Sequence, residues 1–346
     1  MYKTFSKNIL HWHKKNGRHN LPWQTQNSAY HIWLSEIMLQ QTQVTTVIPY
    51  FNKFINVFPN ISAVAAADLD EILKLWAGLG YYARARNLHK TAKVLVAKYN
   101  AEIPANFDVL VSLPGIGRST AGAILALAFN QDYPILDGNV KRVLTRYAGI
   151  DGWPGIRQVE NKLWVLAEKM MPQQLVASYT QAIMDLGSLV CVRKNPLCMQ
   201  CPVSRQCVAK KLNLTDQLPT PKAKQDIPKR DTVMLIFESN NGTVLLKKRP
   251  LRGIWGGLWS LPEFASTEEA THWCRKTFGK TFNLLGHLDT YSHRFTHYQL
   301  DIIPLHVRSN KSCNYNLDKE EFAWCDADIQ KHAVATPVKN LIQTIS

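Results

Sequence analysis

The chain of 346 residues lacks several features that would place it at or across a membrane or outside the cell. It has no apolar run of the ~18 residues that a membrane-spanning helix requires. Its N-terminal stretch, MYKTFSKNILHWHKK, lacks the apolar centre of a signal peptide. Its seven cysteines are an odd number, which argues against a framework of disulfides. These absences predict a cytoplasmic protein that does not contact a membrane.

Acidic residues are also few. The chain has 26 Asp and Glu against 41 Lys and Arg, which gives a net charge of +15. Such a charge favours a polyanionic partner such as nucleic acid, although solubility alone accounts for the charge of many basic proteins. Hydrophobic residues make up 46% of the chain, which excludes a disordered protein. The length suits about two domains, each with its own core.

The stretch from Leu113 to Arg142 is the most informative part of the sequence. PGIG, at residues 114–117, predicts a tight turn between the end of a short apolar helix and a second helix, Thr120 to Phe129. Gly115 and Gly117 are expected to supply positive φ and to let another backbone approach. The amides that follow open a helix and favour an anion, expected here to be a DNA phosphate. A plain αα-corner is the structural alternative.

Two acidic residues occupy notable positions. Glu36 lies in a predicted helix from Tyr30 to Val47, which is apolar on most sides and therefore expected to be buried. Burial raises the pKa of a carboxylic acid and makes it a general acid near neutral pH. A hydrogen bond to a neighbouring helix end is the alternative role. Asp137 precedes the helical pattern that begins at Val140, and by itself it is an ordinary N-cap.

Four of the cysteines crowd together, separated by six, two and five residues. They are Cys191, Cys198, Cys201 and Cys207. Four thiolates in so short a segment can surround one metal centre. Zinc is one alternative, although structural zinc sites usually show two CxxC pairs and this segment has one. A [4Fe–4S] cluster also needs four cysteines and tolerates uneven spacing.

The LPGIG…T turn, the LDG aspartate and the cysteine segment together resemble the helix-hairpin-helix DNA glycosylases of the endonuclease III superfamily. The details resemble its adenine-specific, MutY-type branch, which acts on A/G mismatches. The 6-2-5 spacing of the cysteines is that of the superfamily's cluster loop, so the resemblance implies one [4Fe–4S] cluster per chain, held by residues 191–207. It also implies a base-excision repair hydrolase that removes adenine opposite 8-oxoguanine or guanine in double-stranded DNA. Such an enzyme is expected to be a monomer in the bacterial cytoplasm, associated with the nucleoid.

The resemblance assigns the chemistry to two carboxylates. SEIMLQQTQV resembles the segment that holds the catalytic acid, and Glu36 matches that acid, which protonates N7 of adenine and then activates water. Asp137 matches the second carboxylate, which stabilises an oxocarbenium-like transition state. The logic is that of glycoside hydrolysis by one protonated and one charged carboxyl group. Asn139 matches a residue that touches the sugar region.

One substitution bears on the type of reaction. Bifunctional members of the superfamily carry a lysine after the hairpin that attacks the sugar as a Schiff-base nucleophile. Ser119 stands at that position, where it offers no amine to form an imine. The resemblance therefore implies a monofunctional glycosylase. Two alternatives remain: a lyase of the endonuclease III kind, which Ser119 and the second domain disfavour, and a DNA-damage-binding protein without catalysis.

Other positions match contacts with the DNA duplex. Gln40 and Gln41 match residues that fill the gap left by a flipped base, and Gln41 is the favoured wedge because it lies opposite the acid on the predicted helix. Core packing is the alternative. Tyr82, in GLGYYARARNLH, matches the tyrosine that enters the duplex, and Arg84 and Arg86 beside it are expected to hold phosphates.

The base itself is expected to bind between a loop and a helix. Arg18, Leu21 and Trp23 resemble the wall of the family's adenine pocket. Asp185 lies in a predicted helix, Val176 to Val190, where it is expected either to face this pocket or to be a buried hydrogen-bonding partner.

A second domain begins after a break in the apolar pattern. Residues 212–230 contain three prolines and many lysines and are predicted to be a linker between domains at 1–211 and 231–346. Residues 257–263 then resemble the start of a Nudix box. The metal-binding glutamates of that box are replaced by a segment with Arg275 and Lys276, and cations do not ligate a divalent metal. The sequence therefore predicts a Nudix-like fold without pyrophosphatase activity.

The family's second domain recognises 8-oxoguanine through a Phe-Ser-His loop, which Phe295, Thr296 and His297 match. Thr keeps the hydroxyl of Ser as donor and acceptor. Residues 291–293 (YSH) are a rival register, and a strand at 299–305 follows either one. The predicted architecture is thus an all-α helix-hairpin-helix glycosylase domain with a cluster loop, followed by an α/β Nudix-like domain.

Overall fold

The computed structural model describes residues 2–25, 28–223, 226–310, 317–318, 321–326 and 331–345. The chain forms two compact units, Met1–Ala66 with Asn87–Lys224, and Ala67–Arg86 with Gln225–Ser346. The boundary at 224 and 225 falls inside the predicted linker. Among the described residues, none of the helices is both long enough and apolar enough to cross a membrane.

Helices make up the first 211 residues. In chain order they are α1 (Tyr2–Asn16), α2 (Ala29–Leu39), α3 (Val44–Val57), α4 (Ile61–Ala66), α5 (Leu69–Trp76), α6 (Ala83–Tyr99), α7 (Phe107–Ser112), α8 (Arg118–Phe129), α9 (Gly138–Ala148), α10 (Arg157–Met170), α11 (Val176–Asp185) and α12 (Val208–Lys211). A π-helical segment, Leu186–Val190, continues α11, and a 3₁₀ turn occupies Ser204–Gln206. Helix α5 and the turn before α6 belong to the second unit.

Helix α8 lies at the centre of the first unit. All of its residues from Ala121 to Ala126 are buried. Their small side chains let a neighbouring segment pack closely: a Cβ on Gly122 would lie 2.5 Å from the carbonyl oxygen of Pro134. This close approach brings the loop that leads to Asp137 alongside α8.

The single helix predicted from Tyr30 to Val47 is wrong, because α2 ends at Leu39 and α3 begins at Val44. Gln41 has a φ of +58°, a left-handed conformation that a right-handed helix cannot contain. No proline or glycine marks the break, so the sequence pattern did not reveal it. Gln41 and Glu36 therefore do not share one helix, and the preference for Gln41 as the wedge loses its basis in helix geometry.

The hairpin turn forms between α7 and α8 as predicted, but only one of its glycines has positive φ. Gly115 has a φ of +81°. Gly117 has a φ of −92° and a ψ of 174° and is the N-cap of α8. The expectation of positive φ at Gly117 was wrong. A Cβ on Gly117 would meet nothing within 4 Å, so the position is open on the protein's side.

The second unit is built on a mixed sheet. Its strands are β1 (Lys229–Glu238), β2 (Val244–Lys248), β3 (Trp259–Ser260), β4 (Glu263–Phe264), β5 (Phe282–His287), β6 (Tyr291–Arg294), β7 (Gln299–Ser309) and β8 (Phe322–Cys325), and its C-terminal helices are α13 (Thr267–Phe278) and α14 (Thr336–Gln343). β1 pairs with β7 in parallel and with β2 as an antiparallel hairpin around Asn240, Asn241 and Gly242, an Asn-Asn-Gly sequence that is typical of such turns. One face of the sheet packs on the buried side of α13, which includes Cys274 and Phe278.

Candidate functional site

One cleft of about 970 Å³ in the first unit gathers ten of the predicted site residues. Its lining includes Arg18, Leu21, Trp23, Glu36, Gln40, Gln41, Gly117, Ser119, Asp137 and Asn139. These residues come from separate stretches of the chain, so the cleft depends on how α2, α8, α9 and α11 pack.

Glu36 projects from α2 between the buried residues Ser35 and Ile37. Burial raises the pKa of Glu36 to about 8, and the nearby negative charge of Asp137 acts in the same direction. A carboxyl group with this pKa is protonated at neutral pH, which is the state that a general acid requires.

Asp137 is the N-cap of α9, as its sequence context predicted. Its Oδ1 accepts a hydrogen bond from the Val140 amide at 2.7 Å, and its Oδ2 accepts one from Asn139 Nδ2 at 3.2 Å. Burial raises the pKa of Asp137, while these hydrogen bonds and the charge of Arg142 act in the opposite direction. Asp137 therefore has donors that stabilise its charged form.

Ser119 ties the hairpin to the segment before Asp137. Its Oγ accepts a hydrogen bond from the backbone amide of Leu136 at 2.9 Å. The side chain that stands where the superfamily's lysine is expected thus holds the neighbouring backbone in place.

Arg18 is fixed in the wall of the cleft by Asp185. The Asp185 carboxylate is fully buried and accepts hydrogen bonds from the Arg18 amide at 2.7 Å and from Arg18 Nε at 2.9 Å. Burial acts to raise the pKa of Asp185, but the nearby His13, whose Nε2 lies 3.3 Å from Oδ2, and hydrogen bonds from Arg18 hold that pKa below its usual value. Asp185 is absent from the lining of the cleft, so the structure places it behind the pocket wall.

The two glutamines after α2 differ in their surroundings. Gln40 Nε2 donates to the carbonyl oxygen of Gly115 at 3.2 Å and to Thr120 Oγ1 at 3.3 Å, which connects the end of α2 to the hairpin. Gln41 is exposed. Both residues line the cleft.

The predicted wedge loop lies in the second unit. Tyr82 is 8% exposed, and its hydroxyl accepts a hydrogen bond from the Gly78 amide at 3.3 Å, whereas Tyr81 is 46% exposed. Arg84 is buried and donates to the carbonyl oxygens of Leu79 and Gly80. Burial lowers the pKa of Arg84 to about 10. The expectation that Arg84 holds a phosphate was therefore wrong, because its guanidinium braces the turn.

The four clustered cysteines meet at one small, mainly apolar cavity. Cys191, Cys198, Cys201 and Cys207 all line it, beside Val143, Tyr147 and Leu186. Among the residues that the structure describes, no group of three or more His, Cys, Asp or Glu side chains is arranged to hold a metal ion. The four cysteines therefore line one cavity in the first unit.

Two arginines of α9 that the sequence patterns did not single out bind the segment that contains the four cysteines. Arg142 Nε donates to the carbonyl oxygen of Cys191 at 2.6 Å, and its Nη2 donates to Asn139 Oδ1 at 2.8 Å. Arg146 is 2% exposed and donates to the carbonyl oxygen of Val192 at 2.7 Å. Their i, i+4 spacing, which puts both on one face of a helix, was the available signal.

The predicted recognition loop forms the tip between β6 and β7. The Phe295 ring packs against those of His293 (centroids 4.6 Å apart) and Tyr298 (5.1 Å), while Thr296 and His297 are exposed. Residues 291–293, the rival register, lie inside β6 and pair with β7. Only the register at 295–297 places its side chains at a tip.

Comparison with known proteins identifies both parts of the chain. Residues 34–169 match the model of the HhH-GPD superfamily base excision DNA repair proteins, and residues 232–344 match that of the NUDIX domain. An adenine DNA glycosylase of Buchnera aphidicola subsp. Schizaphis graminum is 41% identical over 93% of this chain and 93% of its own length. That of Rattus norvegicus is 32% identical over 86% of this chain and 69% of its own.

Solved structures agree with the fold of the first part. A thermostable thymine-DNA glycosylase has a TM-score of 0.56 and 27% identity, covering 61% of this chain and 97% of its own. An endonuclease III from a non-covalent DNA complex has a TM-score of 0.52 and 21% identity, covering 62% of this chain and 98% of its own. The predicted helix-hairpin-helix and Nudix-like architecture is confirmed.

Proposed function

The chain belongs to the adenine DNA glycosylase family of base excision repair, and we propose that it acts on adenine opposite 8-oxoguanine or guanine by a monofunctional, hydrolytic reaction. The observation that carries this proposal is the meeting of Glu36 and Asp137 in one cleft. There burial raises the pKa of Glu36 to about 8, and burial also raises the pKa of Asp137, but hydrogen bonds to Asp137 and the charge of Arg142 oppose that rise.

The proposed reaction begins outside the DNA stack, because the glycosidic bond is inaccessible within a duplex. The flipped adenine enters the cleft beside Leu21 and Trp23. Glu36 donates its proton to N7, and the C1′–N9 bond breaks with its electron pair moving to the base. Charged Asp137 stabilises the positive sugar, with Asn139 beside it. Water then bonds to C1′ and returns a proton to Glu36, which leaves free adenine and an abasic site.

A hydrolytic route is supported by the state of Ser119. Its side chain has no amine, and its oxygen accepts a hydrogen bond from the Leu136 amide. An imine with the sugar cannot form at this position. The lyase alternative therefore needs an amine from elsewhere.

We propose that double-stranded DNA is held by the hairpin and the residues after α2, with the enzyme acting as a monomer in the cytoplasm. Gly115 and Gly117 give the turn a backbone that a phosphate can approach, and the open side of Gly117 supports this. Gln40 and Gln41 lie at the rim to fill the gap left by the base. Tyr82 enters the duplex only after it leaves its buried position.

The four clustered cysteines are the residues that would hold one [4Fe–4S] cluster. A zinc ion with bonds of about 2.3 Å requires four sulfurs that converge on one point, whereas a four-iron cluster takes one sulfur at each corner. Their placement around one cavity supports a single shared group, and their 6-2-5 spacing favours the cluster over zinc. When bound, it is expected to fix residues 191–207 as a DNA-contacting loop, and we assign it no chemical step.

The opposite base is read, we propose, by Phe295, Thr296 and His297. Their placement at an exposed tip supports this role, and the Thr296 hydroxyl supplies a donor and an acceptor. The Nudix-like unit is not expected to hydrolyse nucleotides, because Arg275 and Lys276 lie on α13 where the metal-binding glutamates of that box are expected.

A single-turnover assay on duplexes with adenine opposite 8-oxoguanine, guanine or thymine tests this function. Strand breaks that appear only after hot alkali, and only opposite 8-oxoguanine or guanine, are the expected result. Breaks without alkali would establish a lyase. Iron-loaded, folded protein that binds the mispair but yields no breaks would establish a binding protein without catalysis.

A further inference from the structure

Trp255 has an unusual environment in the loop of residues 249–258, which joins β2 to β3. Its φ is +52°, a left-handed conformation that is unfavourable for a bulky side chain. The residue is nevertheless 8% exposed, so the conformation is held from several sides. Its ring lies 5.3 Å from that of Phe295 and 5.7 Å from that of His293. Trp255 therefore packs under the first residue of the proposed recognition tip.

The next residue of the loop, Gly256, is bound through its carbonyl group by an arginine of α6. Arg86 Nη1 donates to the carbonyl oxygen of Gly256 at 2.7 Å. Arg86 is in the first turn of α6, directly after the turn that contains Tyr81 and Tyr82. This bond uses the guanidinium that sequence analysis assigned to a phosphate.

Two further contacts join residues 67–86 to the same loop. Lys248 Nζ lies 2.8 Å from Asp70 Oδ2, just before the loop begins. A Cβ on Gly257 would lie 3.2 Å from Leu73 Cδ1, so the loop and α5 are in close contact where glycine leaves room. The loop thus contacts α5 and the first turn of α6, which flank the turn with the tandem tyrosines, and it also contacts the tip with Phe295, all within the second unit.

We propose that loop 249–258 positions the elements that read the base opposite the adenine, and that Trp255 and Arg86 are its two positioning residues. The proposal rests on the function proposed above for Phe295–His297. Trp255 acts through Phe295, and Arg86 acts by fixing the loop to the first turn of α6, directly after the tyrosine turn. Loss of either contact lets the recognition tip and the tyrosine turn move independently, which weakens discrimination between 8-oxoguanine and guanine and leaves the chemistry at Glu36 intact.

The ratio of two single-turnover rates tests this proposal. The first is for adenine opposite 8-oxoguanine and the second for adenine opposite guanine. Trp255→Leu and Arg86→Met are each expected to lower the ratio roughly 10-fold, because displacing a contact by about 1 Å costs up to 100-fold. The rate opposite guanine should stay within about threefold of its starting value, because the geometry at Glu36 is unchanged. Trp255→Phe and Arg86→Lys, which keep a ring and a donor, should restore most of the ratio.

Two matched variants control for general damage. Trp273→Leu removes another tryptophan of the second unit, one that stacks on Phe322 at 6.0 Å. Arg252→Met removes an exposed charge from the same loop. Both should leave the ratio unchanged. If Trp255→Leu does not fold, Arg86→Met decides the matter, since it keeps the aliphatic stem.

The outcomes separate this proposal from the one on which it rests. An unchanged ratio in folded Trp255→Leu and Arg86→Met overturns the positioning role, as does an equal fall of both rates or a matching loss in Trp273→Leu. If the unmodified protein shows no preference for 8-oxoguanine over guanine, the recognition assigned to Phe295–His297 fails first, and the role of the loop fails with it.

Discussion

The cleft and the cysteine cavity of the first unit are built in opposite ways. The cleft takes residues from stretches as far apart as Arg18 and Arg193 and exposes carboxylates, amides and guanidinium groups. The cavity takes its four sulfurs from residues 191–207 and is mainly apolar. A site that admits an outside molecule and shifts a pKa needs several packed helices. A site that encloses a compact group can be supplied by one short loop with the right spacing.

The largest expected effect is at Glu36, where the packed helices raise the pKa. Glu36→Gln keeps the shape of the side chain but removes the proton donor, so excision should fall about 10³-fold or more. Affinity for DNA with adenine opposite 8-oxoguanine should remain. Single-turnover rates and equilibrium binding on the same preparation measure both.

Glu102→Gln is the matched control, because Glu102 is exposed and outside the cleft. Near-normal excision by Glu36→Gln would show that Glu36 is not the general acid. The cleft would then not differ from the cysteine cavity in supplying a shifted pKa for catalysis.

The next effect concerns the short loop. Cys201→Ser removes one of four ligands, so the protein should lose its iron, and the free energy of unfolding should fall by on the order of 4 kcal/mol. Cys274→Ser replaces a buried cysteine on α13 in the second unit, and it should keep all of the iron. Iron analysis and thermal melts distinguish the two. Full iron content in Cys201→Ser would show that the cavity is not a ligand site.

A smaller loss is expected at Asp137. Asp137→Asn can still accept the hydrogen bond from the Val140 amide but lacks the charge, so excision should fall about 10²-fold. The wild-type rate should decline as the pH rises through about 8, where Glu36 loses its proton. Since the charge of Asp137 helps to raise the pKa of Glu36, the decline should move to lower pH in this variant. A pH series of single-turnover rates that shows the same midpoint in both proteins would contradict the coupling.

The smallest expected effects are at the two glycines of the hairpin, where one substitution should affect stability and the other DNA binding. Gly115→Ala places a Cβ at φ +81° and 2.9 Å from Asn87 Cβ, so it should cost about 1 kcal/mol or more of stability. Gly117→Ala meets no protein atom within 4 Å and should change stability by less than about 0.5 kcal/mol. It should still weaken DNA binding, because the added methyl group occupies the side from which a phosphate approaches. Unchanged DNA affinity would place the phosphate elsewhere.

Much of the molecule could be predicted because its signals are local. The hairpin turn and the Asn-Asn-Gly strand turn both lie within a few residues, and backbone geometry alone links them to a structure. The resemblance to a known family brought Glu36 and Asp137 together in the prediction. Periodicity did not, since nothing on α2 indicates what α9 places opposite it.

Other features escaped prediction because they depend on distant partners. The break after Leu39 lies where Gln40 bonds to the hairpin at Gly115, a contact that no helical pattern contains. The sequence left Asp185 either in the pocket or buried as a hydrogen-bonding partner, because its partner Arg18 is 167 residues away. Arg84 looked like a phosphate ligand because exposure cannot be read from a loop sequence.

The membership of residues 67–86 in the second unit has a consequence for synthesis of the chain. Arg86 finds its acceptor, the Gly256 carbonyl, 170 residues later. At about 5–20 residues per second, the ribosome leaves a gap of roughly 10 to 30 s between the two. During that interval Asp70, Leu73 and Arg86 lack the partners supplied by residues 248–257. We therefore expect a nascent chain that stops before β1 to be more sensitive to protease at α5 than the finished protein.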